Sequence, residues 1–273
     1  MDAKAISPSV QSVDRALDIL EAIGRFGPIG VTELAQSLSL HVATVHNLLR
    51  TMLARHYLLN EGGRYRLGPA AMVLASRFDP LQALPELVRP ALQQLARRTG
   101  EAASATVLVG GEAHLVGFCP GTHATTIHFP QWRWDNPLDL ATGRVLVAFT
   151  RQADDAPLPL QTCSATAPAD RSGWQAEFQT IRKRGFSLLR RPDEGQQLAL
   201  GVPVWATRDK VLASLGLACP GFRATLAHGQ DMLDALWKIA ASLSRELGCA
   251  QPPLSQPHLR RLTPPRSRKE ATR

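Results

Sequence analysis

Residues 31–67, VTELAQSLSLHVATVHNLLRTMLARHYLLNEGGRYRL, decide the fold of the N-terminal part of the chain. Thr32 is an N-cap type of residue ahead of the short helical run ELAQSL. After Ser39-Leu40, a run from Val42 to Arg55 wound at about 3.6 residues per turn puts Val42, Val45, Leu49, Met52 and Leu53 on one arc. Two helices joined by about four residues have helix-turn-helix spacing. The segments YLLN and RYRL then flank Glu61-Gly62-Gly63, where glycine supplies the positive φ that a tight hairpin needs. Upstream, QSVDRALDILEAIGRF (11–26) carries Val13, Ala16, Leu17, Leu20 and Ile23 at helical spacing. Ser12 is its candidate cap and Gly27-Pro28 its stop. Three helices followed at once by a two-stranded hairpin make a winged helix-turn-helix. The order of elements carries that assignment.

The face of the 42–55 helix opposite the apolar arc holds Ala43, Thr44, Asn47, Arg50, Thr51 and Ala54. Small residues permit close approach to a major groove, and Asn47 and Arg50 are side chains suited to bidentate contacts with adenine and guanine edges. Thr44 and Thr51 are placed for phosphate or thymine-methyl contacts. On the hairpin, Tyr65 and Leu67 alternate with Arg64 and Arg66. With the apolar pair packed inward, both arginines point outward, where a wing meets phosphates. A polar helix face is by itself an ordinary solvated surface. The spacing, the hairpin and the paired arginines favour DNA, and protein docking by the winged helix is the open alternative.

Charge supports this only weakly. The net +8 divides into 8 Lys/Arg against 6 Asp/Glu over residues 1–78, 17 against 16 over 79–250, and 6 against 1 from Gln251 onward. Most of the excess, including Arg260, Arg261, Arg266, Arg268, Lys269 and Arg273, belongs to the tail. No run of about 18 apolar residues marks a membrane span, and acidic residues early in the chain argue against a signal peptide. Cys119, Cys163, Cys219 and Cys249 form no CxxC pair, so a reduced cytoplasmic chain without a cofactor is expected. His114, His123 and His128 are read as surface or core histidines, and no metal site is expected. No phosphate loop, G-x-S-x-G turn or carboxylate pair marks an enzyme.

From Pro80 to Arg98 a long amphipathic helix is expected, broken or restarted near Pro85 and Pro90. Beyond Gly100 the texture changes. ATVLVGGEAHLVGF reads as a hairpin turning at Gly110-Gly111, and TTIHF as a third strand. Helices are expected over 142–150 and 174–184, with an irregular loop over 154–169. FSLL, LALGVPVWA and VLASLGLAC are expected strands. A closing helix over 227–247 has Leu233, Leu236, Trp237, Ala240 and Leu243 on one stripe.

From Val10 to Gly248 the chain resembles the IclR family of bacterial transcription regulators. The matching stretches, in the family's order, include SVDRALDILEAI, TELAQSL, ATVHNLLRTM, YRLGPAAMVLA, LARRTGEAASATVLVGGEAHLV, PLDLATGRVLVAF, IRKRGFS, GVPVW, LASLGLACPGFR and IAASLSRELG. The resemblance implies an α+β chain: a winged helix-turn-helix over 10–75, a linker helix region over 76–99 that helps dimerise, and a GAF-like α/β effector-binding domain over 100–248. A disordered basic tail over 249–273 completes the expectation. It also implies homodimers, pairing into homotetramers, on a palindromic double-stranded operator, with operator affinity set by a small-molecule effector. The alternative is a protein-binding or vestigial sensor whose winged helix no longer reads DNA sequence.

The departures from the family pattern bear on both sites. His41-Val42-Ala43-Thr44 replaces the usual Pro-Lys-Ser-Thr, and Asn47 replaces an arginine whose base contact passes to Arg50. The Thr-Ala-x-Gly-Lys element becomes Ala141-Thr142-Gly143-Arg144, the usual acidic residue becomes Ala206, and two hydroxyl residues become Gly216 and Ala218, followed by Cys219. In relatives those side chains bind a carboxylate. Their loss predicts a more apolar pocket, for an aromatic or other hydrophobic acid. Thr142, Gly143, Arg144, Gly216, Ala218 and Cys219 are its expected residues, and Trp132, Arg133, Trp134 and Trp205 its candidate walls.

Overall fold

A computed structural model describes residues 10–77, 79–150, 167, 168, 170–191, 197–253 and 257–259. The chain divides between Asp79 and Pro80 into two compact units. Most of the 154–169 loop, Cys163 and the tail arginines lie outside the described residues.

In the first unit α1 (Gln11–Phe26) ends at Gly27, whose φ of 78° turns the chain. β1 (Ile29–Gly30) leads into α2 (Val31–Ser37), where Gly30 N–H donates to Glu33 Oε2 at 3.2 Å. Glu33 thus does the capping expected of Thr32. Four residues on, α3 (Val42–Ala54) begins. β2 (Leu58–Glu61) and β3 (Arg64–Leu67) close the hairpin. Gly62 and Gly63 have φ of 60° and 83°, the type I′ signature that matches strand twist. β1 adds to the hairpin to give the order β1-β3-β2, a strand too short to see in sequence.

The core of this unit gathers Ile19 and Ile23 of α1, Leu34 of α2, Val45, Leu49 and Met52 of α3, and Leu58 and Tyr65 of the hairpin. The expected stripe on α1 was broader than the buried one. Val13 and Leu17 are 53% and 52% exposed, because Ile19, Ala22 and Ile23 turn toward the core instead. α4 (Pro69–Ser76) follows with no buried residue: Met72, Val73 and Leu74 all face outward.

The second unit opens on α5 (Pro80–Thr99), a continuous helix with Pro85 and Pro90 inside it. An interior proline costs about 3 kcal/mol. The expected break does not occur, because Leu84, Val88, Leu92, Leu95 and Ala96 bury one face along its length. A six-stranded antiparallel sheet has the order β6-β5-β4-β9-β8-β7. Its strands are β4 (Ala102–Val109), β5 (Glu112–Cys119), β6 (Arg133–Trp134), β7 (Ser187–Arg191), β8 (Gln197–Thr207) and β9 (Lys210–Cys219). The predicted TTIHF strand is not formed. Ile127 instead packs with Ala102 and Ala218, and Phe129 sits edge-on between Phe118 and Trp134.

α5 and α8 (Leu226–Glu246) cover one sheet face, sharing a core with Ala105, Leu200, Val202, Leu215 and Leu217. On the other side lie α6 (Ala141–Phe149) and α7 (Arg171–Arg184), held together by Leu138, Val145, Trp174, Phe178 and Ile181. Strand β8 carries a bulge at Trp205. There Ser244 Oγ of α8 accepts from Trp205 N–H at 2.9 Å and donates to Ala240 O at 2.7 Å. Part of the expected disordered tail is ordered: Cys249 and Leu259 are buried, and Leu259 N–H donates to Gln230 Oε1 at 2.7 Å. No described helix is long and apolar enough to cross a membrane.

Candidate DNA-contacting face and ligand cavity

α3 presents Asn47, Arg50 and Thr51 to solvent, with Thr44 half-buried at the flank. Their exposure follows from the burial of Val45, Leu49 and Met52, which fixes the helix roll. Thr51 Oγ1 donates back to Asn47 O at 3.2 Å and keeps its lone pairs outward. His46 is also exposed, one turn before Arg50. Winding the helix puts it beside Leu53 at the edge of the apolar arc, so only the exposure of that edge brings it to the surface.

Both wing arginines are half-exposed and both are engaged within the chain. Arg64 donates from Nε and Nη2 to Pro28 O at 3.1 and 2.8 Å, with Glu33 Oε2 at 3.5 Å. Arg66 grips Glu61 Oε1 through Nε at 2.8 Å and through Nη2. That hydrogen bond, and then the charge of Arg66, hold the Glu61 carboxyl below its ordinary range and push the guanidinium up. Tyr65 packs inward as expected, whereas Leu67 is 41% exposed.

In the second unit a small cavity of about 40 Å³ lies between α6 and the sheet. Apolar walls come from Ile127, Phe129, Leu140, Leu189, Ala199 and Ala218, with Ser104, Thr142, Asp139 and Gln197 as polar members. Thr142 and Thr106 share a hydroxyl–hydroxyl bond of 2.8 Å. α6 points its N-terminus into this space. Leu140 offers no side-chain cap, and Leu140, Ala141 and Thr142 all line the cavity. The first amides of a helix have no intrahelical acceptor and carry the positive end of its dipole, so they favour an anion.

Of the expected pocket residues, the structure brings Thr142, Gly216 and Ala218 together in this cavity. A Cβ on Gly216 would stand 2.6 Å from Thr142 Cγ2 and 2.9 Å from Ser104 Oγ, so glycine is what admits α6 here. Gly143 plays a packing part, because a Cβ there would meet Pro137 O at 2.0 Å. Arg144 is 3% exposed, donates from Nε to Leu138 O at 2.7 Å and lies over the Trp174 ring at 4.9 Å. It braces α6 and does not line the cavity.

The tryptophan walls fall elsewhere. Trp205 is buried against Phe149, with ring centroids 5.0 Å apart. Trp134 reaches the cavity only through its contact with Phe129. Trp132 and Arg133 border a separate groove with Pro85, Arg89, His114 and Phe118, and Arg133 pairs with Glu112 and Asp135. Cys219 points to the opposite sheet face. Burial and then the nearby Glu101 charge push its thiol up to about 12, so it is protonated near neutral pH in the metal-free chain. What sequence reasoning missed is Ser104, Ile127, Phe129, Asp139, Leu189 and Gln197. They come from strands and turns scattered between positions 104 and 197, and only the fold gathers them.

Comparison with known proteins agrees with both halves. A sequence profile described as the IclR helix-turn-helix domain matches residues 12–62, and one described as the bacterial transcriptional regulator IclR C-terminal matches 82–245. The transcriptional regulator XynR of Escherichia coli K12 is 28% identical over 251 residues, 88% of this chain and 98% of its own. A solved IclR transcriptional regulator of Silicibacter sp. TM1040 superposes with a TM-score of 0.59 at 24% identity, covering 89% of this chain and 98% of its own. An IclR homologue of Microbacterium hydrocarbonoxydans, solved in complex with 4-hydroxybenzoate, gives a TM-score of 0.53 at 18% identity, covering 86% and 98%. With one family profile spanning most of the C-terminal unit and its companion spanning the helix-turn-helix, the chain belongs to the IclR family of DNA-binding bacterial transcription regulators.

Proposed function

We propose that this regulator binds a palindromic operator as a homodimer, and that a small aromatic carboxylic acid entering the α6 cavity modulates its affinity for that operator. The cavity carries this reading. Its walls are mostly apolar, no Lys, Arg or His lines it among the described residues, and the uncapped end of α6 offers amides suited to an anion. Once the cavity widens beyond its present volume, a ring would lie against Ile127, Phe129 and Leu140 while its carboxylate meets the Ala141 and Thr142 amides and the Ser104 and Thr142 hydroxyls. The 4-hydroxybenzoate complex of the Microbacterium homologue is in keeping with that chemistry.

The DNA side rests on Asn47 and Arg50 for base contacts, Thr44 and Thr51 beside them, and Arg64 and Arg66 on phosphates. Val10 just before α1, Val13 and Leu17 of α1 and Met72, Val73 and Leu74 of α4 expose apolar surface suited to a second copy of the chain. The effector acts only through a difference in its affinity for the free and operator-bound arrangements.

Two measurements test this. Footprinting the DNA flanking the chain's own gene should show one symmetric protected site that responds to an aromatic acid, and the absence of any protected site would sink the operator reading. Calorimetric titration should rank 4-hydroxybenzoate above glyoxylate, and above its own methyl ester. Equal binding of acid and ester would remove the role given to α6.

A further inference from the structure

On the opposite side of the sheet from the cavity, four chemistry-bearing side chains converge from four separate elements. Glu101 precedes β4 and is wholly buried. Cys219 ends β9 on the α8 side and is also wholly buried. His228 lies in the first turn of α8, its Nε2 3.0 Å from Glu101 Oε1. The ligand atoms of these three residues all fall within 4.8 Å of one another. His123, after β5, brings its Nε2 to 3.8 Å from the same Glu101 oxygen.

The approach of His123 is built into the backbone. Thr122 N–H donates to Gly100 O at 2.9 Å, and a Cβ on Gly100 would lie 2.3 Å from His123 Nε2. Gly100 also holds φ at 75°, a conformation that ordinary side chains resist. Thus the glycine opens the space that the imidazole fills, directly above the buried carboxylate.

We propose that Glu101, Cys219 and His228, completed by His123, form a binding site for one zinc ion. A thiolate, two imidazoles and one carboxylate oxygen are a donor set that suits tetrahedral zinc and disfavours magnesium or calcium. A modest contraction would bring the Glu101, Cys219 and His228 atoms to zinc distances of about 2.0–2.3 Å, and His123, now 3.8 Å from Glu101 Oε1, would swing in as the fourth ligand. In the metal-free chain Arg223 neutralises Glu101, donating from Nε to Oε1 at 2.7 Å and from Nη2 to Oε2 at 2.8 Å. On binding, Oε1 turns to the metal while Arg223 keeps Oε2, and Cys219 releases its thiol proton to solvent. The exposed edges of His123 and His228, at 45% and 26%, provide the entry path. Sequence spacing hid the site, because its residues stand at 101, 123, 219 and 228 with no short-range pair.

The test uses the full chain, reduced and stripped with a chelator, titrated with Co²⁺ alone and then with Zn²⁺. One equivalent of cobalt should produce the intense visible bands of a tetrahedral site and a thiolate-to-cobalt charge-transfer band, both abolished by one equivalent of zinc. Cys219→Ser should remove the charge-transfer band. His228→Gln, which leaves the buried cysteine untouched, should weaken binding by at least the ~10–100-fold that outer-shell changes alone can cost. A variant with Cys119, Cys163 and Cys249 all changed to serine should keep the band. The proposal is overturned if stoichiometric cobalt gives no charge-transfer band, or if the band survives both Cys219→Ser and His228→Gln.

Discussion

Asn47 and Arg50 differ from the wing arginines in what each can report about DNA. Each projects from a helix whose roll is set by Val45, Leu49 and Met52. Truncating either to alanine should cost about 1–3 kcal/mol at the operator and relax the base preference at one position. Competition binding against single-base variants measures both, and a uniform loss over all sequences would place the residue on the backbone instead. Glu61 gives a pH prediction at the same scale. Its carboxyl is held below the ordinary range by Arg66, so the folded hairpin takes up a proton less readily than the unfolded chain. The pair's stabilising effect is therefore complete above the ordinary glutamate range and lost as pH falls through the lowered folded value. Urea unfolding of wild type and Glu61→Gln should differ at neutral pH and converge in acid; a gap that persists there would contradict the assignment.

The outward face of α3 was legible residue by residue because its geometry is local: one helix and its period determine what faces outward. The cavity was legible only in part. Gly216 and Ala218, two apart on β9, share the face that lines it, and that parity was readable. By the same parity Cys219 had to face away. Trp205 could not be placed by counting, because the bulge in β8 shifts the alternation just where it stands.

Among elements, α8 and β8 depend on one hydroxyl. Ser244 is buried and satisfies the Trp205 N–H that the bulge removes from the ladder. Ser244→Ala leaves that amide without its acceptor, a loss of about 1–3 kcal/mol. Chemical unfolding of the full chain should show a lower midpoint for this variant, and an unchanged midpoint would mean that another acceptor replaces it. α5 shows the opposite balance between local and tertiary terms. Two interior prolines predicted a break, and a buried stripe from Leu84 to Ala96 overrode them. Local propensity is a weak prior wherever a whole helix face is buried. The TTIHF segment failed for a related reason: its alternation suits a strand, but Ile127 and Phe129 are drawn into packing around the cavity.

For the whole molecule, the central issue is assembly. α4 exposes three consecutive large apolar residues, and α1 adds Val13 and Leu17. A chain that remained monomeric would leave this surface in water, at roughly 25 cal/mol per Å² of apolar area. Leu17→Asp combined with Met72→Asp should therefore shift the protein toward monomer in sedimentation experiments and weaken operator binding, while far-UV circular dichroism stays native. An unchanged dimer would send the interface elsewhere.

The internal engagements of Arg64 and Arg66 also govern how the regulator searches a genome. Binding any duplex releases condensed counterions, and log affinity falls with log salt by about 0.9 for each phosphate neutralised. A guanidinium already matched to Glu61 or to the Pro28 carbonyl gains little by exchanging that acceptor for a phosphate, and it leaves a carboxylate behind. If the two arginines leave these partners only at the operator, random DNA should hold the protein loosely, with a salt slope shallower than a count of exposed arginines suggests; a slope matching the full count would show that both contact phosphates on any sequence. Glu61→Gln should steepen that slope and lengthen residence on non-operator DNA, exchanging quick release for longer one-dimensional sliding.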